Sequence, residues 1–225
     1  MTEVCGASAS FDYRDRVPIP LTLGLPERKD RPGLTDRLLL PSSTGFAGAH
    51  IGPPVVSASD LPGVVGDVIL ALDAEPPLDE RIVRCHLDVP ADQLEQALAL
   101  PGPLTIFVAD PDAETTRAIT EAGHSAGIAA TEPVGRIADF LAVIAHTDVG
   151  FVGRATNGPD VVKILAATVA ALRGDDIRKA FAAPDVAALA ALNPAAGEAV
   201  REVLLGIEIA DVDEATAYLT ERGLI

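Results

Sequence analysis

Three ionisable side chains recur at every second residue of one short apolar stretch, Ile82 to Val89 (IVRCHLDV). In an extended strand, side chains alternate between the two faces. Arg84, His86 and Asp88 therefore share one face, and Val83, Cys85, Leu87 and Val89 share the other. A charged trio turned into a protein interior is costly unless it is paired or used. An Arg–Asp pair with a hydrogen-bonded histidine is the structural explanation. A histidine beside a carboxylate, able to take up and return a proton, is the functional one.

Other polar groups stand where apolar stretches end. Asp73 and Glu75 follow VILAL, Asp110 and Asp112 follow LTIFVA, and Glu132 follows the segment from Ala126 to Ala130. Arg154, Asn157 and Gly158 follow the segment from Val149 to Val152. Asp73, His86, Asp110 and Glu132 carry the oxygen and imidazole donors that suit a divalent metal or an acid–base pair. His86, Asp88 and Glu132 are the candidate catalytic residues, and Asp73 and Asp110 the candidate metal ligands. In GRATNGPD, Asn157 or Gly158 can cap a helix whose first turn contains Pro159. Free N–H groups there, next to the Arg154 guanidinium, would hold a phosphate or carboxylate. Arg154, Asn157 and Gly158 are thus the candidate substrate-binding residues.

Each has a plainer explanation. Asp110 precedes Pro111, the order of an N-cap and a first helical residue. Asp88 can start its own helix, and Asp73 opens an acidic loop (DAEPPLDE). Glu132 also precedes a proline, but glutamate is a poor N-cap. Arg154 has many acids available to pair with. Lys163 lies one turn into a helix, an unusual place for a Schiff-base lysine.

The elements that would position these groups follow from the apolar pattern. Candidate strands begin near residues 20, 38, 50, 68, 82, 104, 126 and 149. Helices are expected over Asp112–Ala122, Arg136–Ala145 and Pro159–Arg173, with a short one through Leu94, Ala97 and Leu98. Strand ends near Asp110, Glu132 and Arg154 are spaced 22 residues apart. That period holds one strand, one helix and two tight loops, as parallel neighbours require. Strands apolar on both faces, such as TIFVA, indicate a sheet covered by helices. Pro53 and Pro54 demote the segment from His50 to Val56 to an edge or bend.

The fold expected is α/β: a compact or degenerate (β/α)8 barrel with a C-terminal helical cap, or else an open doubly wound sheet. One domain covers the chain, with residues 1–17 as a tail, 18–173 as the strand–helix body and 174–225 as the helical cap. Either architecture binds ligands at the carboxyl ends of its strands, which is where the candidate residues fall. Neither a dinucleotide-binding glycine pattern nor a Walker loop is present.

Composition narrows the function classes. Apolar residues make up 48% of the 225 and charged residues 22%, as in ordinary globular chains. The 17 basic and 33 acidic residues leave a net charge of −16, which disfavours nucleic acid and anionic membrane as partners. Two cysteines, Cys5 and Cys85, are too few for a disulfide framework. With no secretory pattern and no long apolar run, the expected location is cytoplasmic. The function expected is a small-molecule enzyme, a metal-assisted lyase, aldolase or isomerase acting on an anionic metabolite. A divalent metal is the cofactor this implies. The alternative is a non-catalytic α/β scaffold or regulatory partner, with the C-terminal helices available for homo-oligomer contact.

Overall fold

The computed structural model describes residues 33–72 and 79–225. The expected tail 1–17, the strand candidate near residue 20, Asp73 and Glu75 lie outside the described residues. Eight strands, all parallel, form one sheet: β1 (Leu39–Pro41), β2 (Val55–Ser57), β3 (Val68–Ala71), β4 (Ile82–Val89), β5 (Leu104–Val108), β6 (Ser125–Ala129), β7 (Phe151–Ala155) and β8 (Leu204–Ile209). Their order around the sheet is β1-β8-β7-β6-β5-β4-β3-β2. The remaining gap, between β1 and β2, is spanned just ahead of β2 by a parallel bridge from Leu39 to Ile51. There Leu39 N donates to His50 O at 2.9 Å, and Gly52 N to Leu39 O at 2.8 Å. Pro53 and Pro54 delay the start of β2 to Val55, since neither can donate to a ladder. The result is a nearly closed (β/α)8-type barrel rather than an open sheet; seven of its strands match expected ones, and the eighth, β8, is not among them.

The helices are α1 (Leu94–Leu98), α2 (Ala113–Glu121), α3 (Val134–Ile144), α4 (Gly158–Arg173), α5 (Ile177–Ala182), α6 (Val186–Ala190), α7 (Pro194–Val203) and α8 (Val212–Glu221). Units β5-α2, β6-α3 and β7-α4 carry the 22-residue period. The early units are degenerate: one 3-10 turn, Leu61–Gly63, is the only helical element among the described residues between β1 and β4. Residues 174–225 were expected to be helical throughout. They contain α5, α6 and α7, but then β8, the strand that completes the barrel. Val200 and Val203 belong to α7, and the chain turns into β8 at Leu204 with no glycine or proline between. The last helix starts behind the Asp211 cap and ends before Gly223 (φ 69°), as its sequence indicates.

Two apolar layers hold the barrel. Outside, Ile106, Ile128, Phe151 and Ile207 of the sheet pack against Ile119, Phe140, Leu141 and Leu165 of the helices. Phe140 and Phe151 meet edge to face at 5.5 Å. Inside, Leu40, Ile69, Phe107 and Val152 form a separate cluster, with Leu205 and Val55 against it. Phe107 occupies the middle of the barrel because β6 offers it Gly127: a Cβ there would lie 2.2 Å from the Phe107 ring. Gly206 likewise makes room for Leu40.

Candidate functional site

Strand β4 turns Arg84, His86 and Asp88 inward. The pairing of Arg84 with Ile69 and of Asp88 with Phe107, both interior residues, fixes that face. Arg84 is nearest the amino ends of the strands, His86 is in the middle, and Asp88 is at the carboxyl rim. Strand β7 turns Arg154 inward two residues beyond the interior Val152. Strand β8 turns Glu208 inward between Ile207 and Ile209, which face the helices.

His86, Asp88, Arg154 and Glu208 form one connected network, which Arg84 does not join. His86 Nδ1 is hydrogen-bonded to Glu208 Oε1. Arg154 Nε donates to Glu208 Oε2 at 2.5 Å. Arg154 Nη1 and Nη2 donate to Asp88 Oδ1 and Oδ2, at 2.5 and 3.1 Å. The Arg154 guanidinium lies 3.5 Å above the Phe107 ring, and His86 meets the same ring edge-on at 5.8 Å. A cation over an aromatic face and a two-pronged carboxylate contact together fix its orientation. Exposure rises along the network. His86 is 2% exposed; the side chains of Glu208, Arg154 and Asp88 are 16%, 31% and 73% exposed.

The charges follow from these contacts. Burial pushes the Glu208 carboxyl up, but hydrogen bonds from His86 and Arg154 together outweigh it and hold the group below its usual range. Burial pushes His86 down, and Glu208 only partly opposes that. Burial also works against the Arg154 charge, yet its two carboxylate partners raise it overall. At neutral pH Glu208 is therefore a carboxylate, Arg154 a guanidinium and His86 a neutral imidazole. A neutral imidazole beside a carboxylate keeps its proton on Nδ1, which leaves Nε2 a bare acceptor. His86 Nε2 has no hydrogen-bond partner, and neither has Thr105 Oγ1 at the paired position of β5.

The other expected residues divide into two groups. Asp110 and Glu132 meet at Arg136, not at His86. Arg136 Nη1 lies 2.6 Å from Asp110 Oδ1, outside hydrogen-bond geometry, and its Nε lies 3.9 Å from Glu132 Oε2. Asp110 does not cap α2. The helix starts two residues later, where Asp112 Oδ1 accepts from Thr115 N at 2.7 Å. Asp110 itself has φ 54°, and its carboxylate is 79% exposed. Among the described residues, no three His, Cys, Asp or Glu side chains come together to hold a metal ion.

Asn157 and Gly158 do stand at a helix start. Asn157 Oδ1 accepts from Asp160 N at 3.0 Å as the cap of α4. The anion at that terminus comes from the chain itself: Gly158 N donates to Glu214 Oε2 of α8 at 2.7 Å. The Asn157–Gly158 turn is thus engaged by α8, while Arg154 alone of the expected anion-binding group joins the His86 network.

Glu208 is the residue that sequence reasoning missed. Its signal was a lone glutamate flanked by isoleucines in LLGIEI, followed by the helix cap Asp211, the same strand-to-cap order as LTIFVADPD. No helix among the described residues is long and apolar enough to cross a membrane. Comparison with protein-family models, with curated proteins and with solved structures gave no match, so the site is read from its own geometry.

Proposed function

We propose that the carboxyl mouth of the barrel is an acid–base site for a small anionic metabolite, of the kind a lyase or isomerase needs. His86 is the base, Glu208 positions it, and Arg154 holds the substrate's anionic group. The observation that carries this reading is the Glu208 carboxylate shared between His86 Nδ1 and Arg154 Nε, with Nε2 left bare. In (β/α)8 enzymes the chemistry sits at this mouth, on residues from several strand ends. Here they come from β4, β7 and β8.

The proton path has three stages. The substrate anion exchanges with the exposed Asp88 on Arg154, and Arg154 moves off Phe107 to open the way to His86. His86 Nε2 then takes a proton from the substrate, and the imidazolium that forms is stabilised by Glu208. The proton returns to a leaving group or to a neighbouring atom, which closes the cycle without net uptake. A metal-assisted version of the reaction is tested by magnesium, manganese and zinc titration by calorimetry.

A second reading has an observation of its own. The 2% exposure of His86 suits a polar tie inside a non-catalytic scaffold. Diethyl pyrocarbonate, mapped by mass spectrometry, separates the two. The acid–base site reacts at His86 in the folded protein, and faster when Arg154→Met opens the mouth. A His86 that reacts only after unfolding overturns the enzyme reading. Among metabolites that raise the melting temperature, the enzyme reading further requires a substrate whose turnover His86→Gln abolishes and Glu208→Gln slows.

A further inference from the structure

The opposite mouth of the barrel carries its own group of cations. Arg84, at the amino end of β4, faces the interior beside Ile69 and has no hydrogen bond or ion pair among the described residues. Arg201, near the end of α7, shares a cavity of about 450 Å³ with it, and Arg37, just ahead of β1, lines the same space. Leu40, Ile69 and Leu205, with Pro53 and Val83, form the apolar part of the wall.

The charge balance here is the reverse of the molecule's. Arg37 reaches Asp67 at 3.5 Å across an exposed surface. Asp36 is tied to Gly33 N at 2.7 Å. The guanidinium of Arg201 is spent on backbone carbonyls: Nη1 donates to Leu204 O, and Nη2 reaches Leu205 O and Arg37 O at 3.4 Å. Carbonyls orient a guanidinium but do not neutralise it. Three arginines thus face two aspartates in a chain of net charge −16. Burial, with the Arg84 charge as a second cause, pushes Arg201 down to about 10, and burial pushes Arg84 down as well. Two half-buried cations in one cavity are unfavourable unless an anion joins them.

We infer that the amino mouth of the barrel binds a phosphomonoester, with its phosphoryl group between Arg84 and Arg201 and its carbon portion against Leu40, Ile69 and Leu205. Guanidinium forks match phosphoryl oxygens in pairs, and the cavity falls within the range of metabolite sites. This site lies at the opposite end of β4 from the His86 network, and its reading does not rest on that of the carboxyl mouth.

Thermal unfolding is followed in inorganic phosphate, glycerol 3-phosphate, succinate and sodium chloride at equal ionic strength. Phosphate and glycerol 3-phosphate are expected to raise the melting temperature with saturation, beyond chloride. Glycerol 3-phosphate should act at lower concentration, because its carbon chain reaches the apolar wall. Arg84→Met is expected to weaken the apparent affinity at least tenfold while folding at least as well as the parent in chloride, since it removes an unpaired charge. Arg84→Lys, which keeps the charge and loses the fork, should fall between the two. Arg154→Met, at the other mouth, should leave the phosphate response unchanged. The inference fails if phosphate does no more than chloride, or if succinate alone stabilises. It fails equally if Arg84→Met titrates like the parent or if Arg154→Met is the variant that removes the response.

Discussion

Replacing Glu208 by glutamine is the most direct test of the network at the carboxyl mouth. The amide keeps the shape of the carboxylate and removes its charge. Its oxygen can still accept from His86 Nδ1, but its NH2 then faces Arg154 Nε, donor against donor. Two charge-assisted hydrogen bonds are affected, each worth roughly 1.5–3 kcal/mol when a charged group is involved. Arg154 is 31% exposed and keeps Asp88, so water replaces part of what is lost. The expected cost is about 3 kcal/mol, a large share of a typical domain's stability. For a chain of this size that is a fall of about 6–12 °C in melting temperature. Urea unfolding with an unchanged m-value measures it. Adding Arg154→Met to Glu208→Gln removes the stranded cation, so the double variant should lose at least about 1 kcal/mol less than the sum of the two singles. A loss below about 1 kcal/mol for Glu208→Gln, or strict additivity, would refute the claim that one carboxylate holds both partners.

Three further outcomes follow from the same contacts. Because the folded chain holds His86 below its ordinary value of 6.5, the unfolded chain takes up that proton first as pH falls. Its contribution is complete above pH 6.5 and is lost progressively below it, so urea midpoints should drop as pH falls below 6.5, with a slope that His86→Gln flattens. Gly127→Ala places a methyl 2.2 Å from the Phe107 ring and should cost about 1–3 kcal/mol by overpacking; combined with Phe107→Leu it should cost less than the sum, as read from calorimetric melting. Asn157→Ala removes the cap of α4 and should lower stability by about 1 kcal/mol in urea titration.

The sequence is most legible where the chain repeats itself. From Leu104 to Arg173, strands that begin on apolar runs alternate with helices at a constant spacing, so the 22-residue period alone defines three units. The strand IVRCHLDV is legible for a different reason: its polar residues alternate, which fixes the face they share before any partner is known. Legibility is weakest at β1 and β2, whose strands of three residues give hydrophobic periodicity too little length to set their bounds, although strands are expected near residues 38 and 50. It fails again at β8. Val200, Val203 and Leu204 match a helical spacing up to the residue at which the chain changes to a strand, so the sequence reads as one helix. That single misreading hid Glu208 and left His86, Asp88 and Arg154 without the group that joins them. Asp110 was misplaced by the Asp-Pro pair, a sound capping signal that Asp112, one residue past the proline, overrides.

The interior of this barrel also explains why its polar residues are not simply tolerated. A barrel of this size is filled by side chains, and apolar ones fill it most cheaply. Leu40, Ile69, Phe107 and Val152 do so here. Strand β4 departs from that rule at three successive inward positions, with a cation toward one mouth, an imidazole in the middle and a carboxylate at the other. At the carboxyl end the departure is compensated: Asp88, Arg154, Glu208 and His86 satisfy one another except at Nε2. At the amino end it is not, since Arg84 finds no acceptor among the described residues. A structural role accounts for satisfied groups and does not account for unsatisfied ones, because an apolar residue of similar volume would serve the fold as well or better. On β4 the groups without a partner among the described residues are Nε2 of His86 and the guanidinium of Arg84, and ligands are expected there, one at each end of the strand.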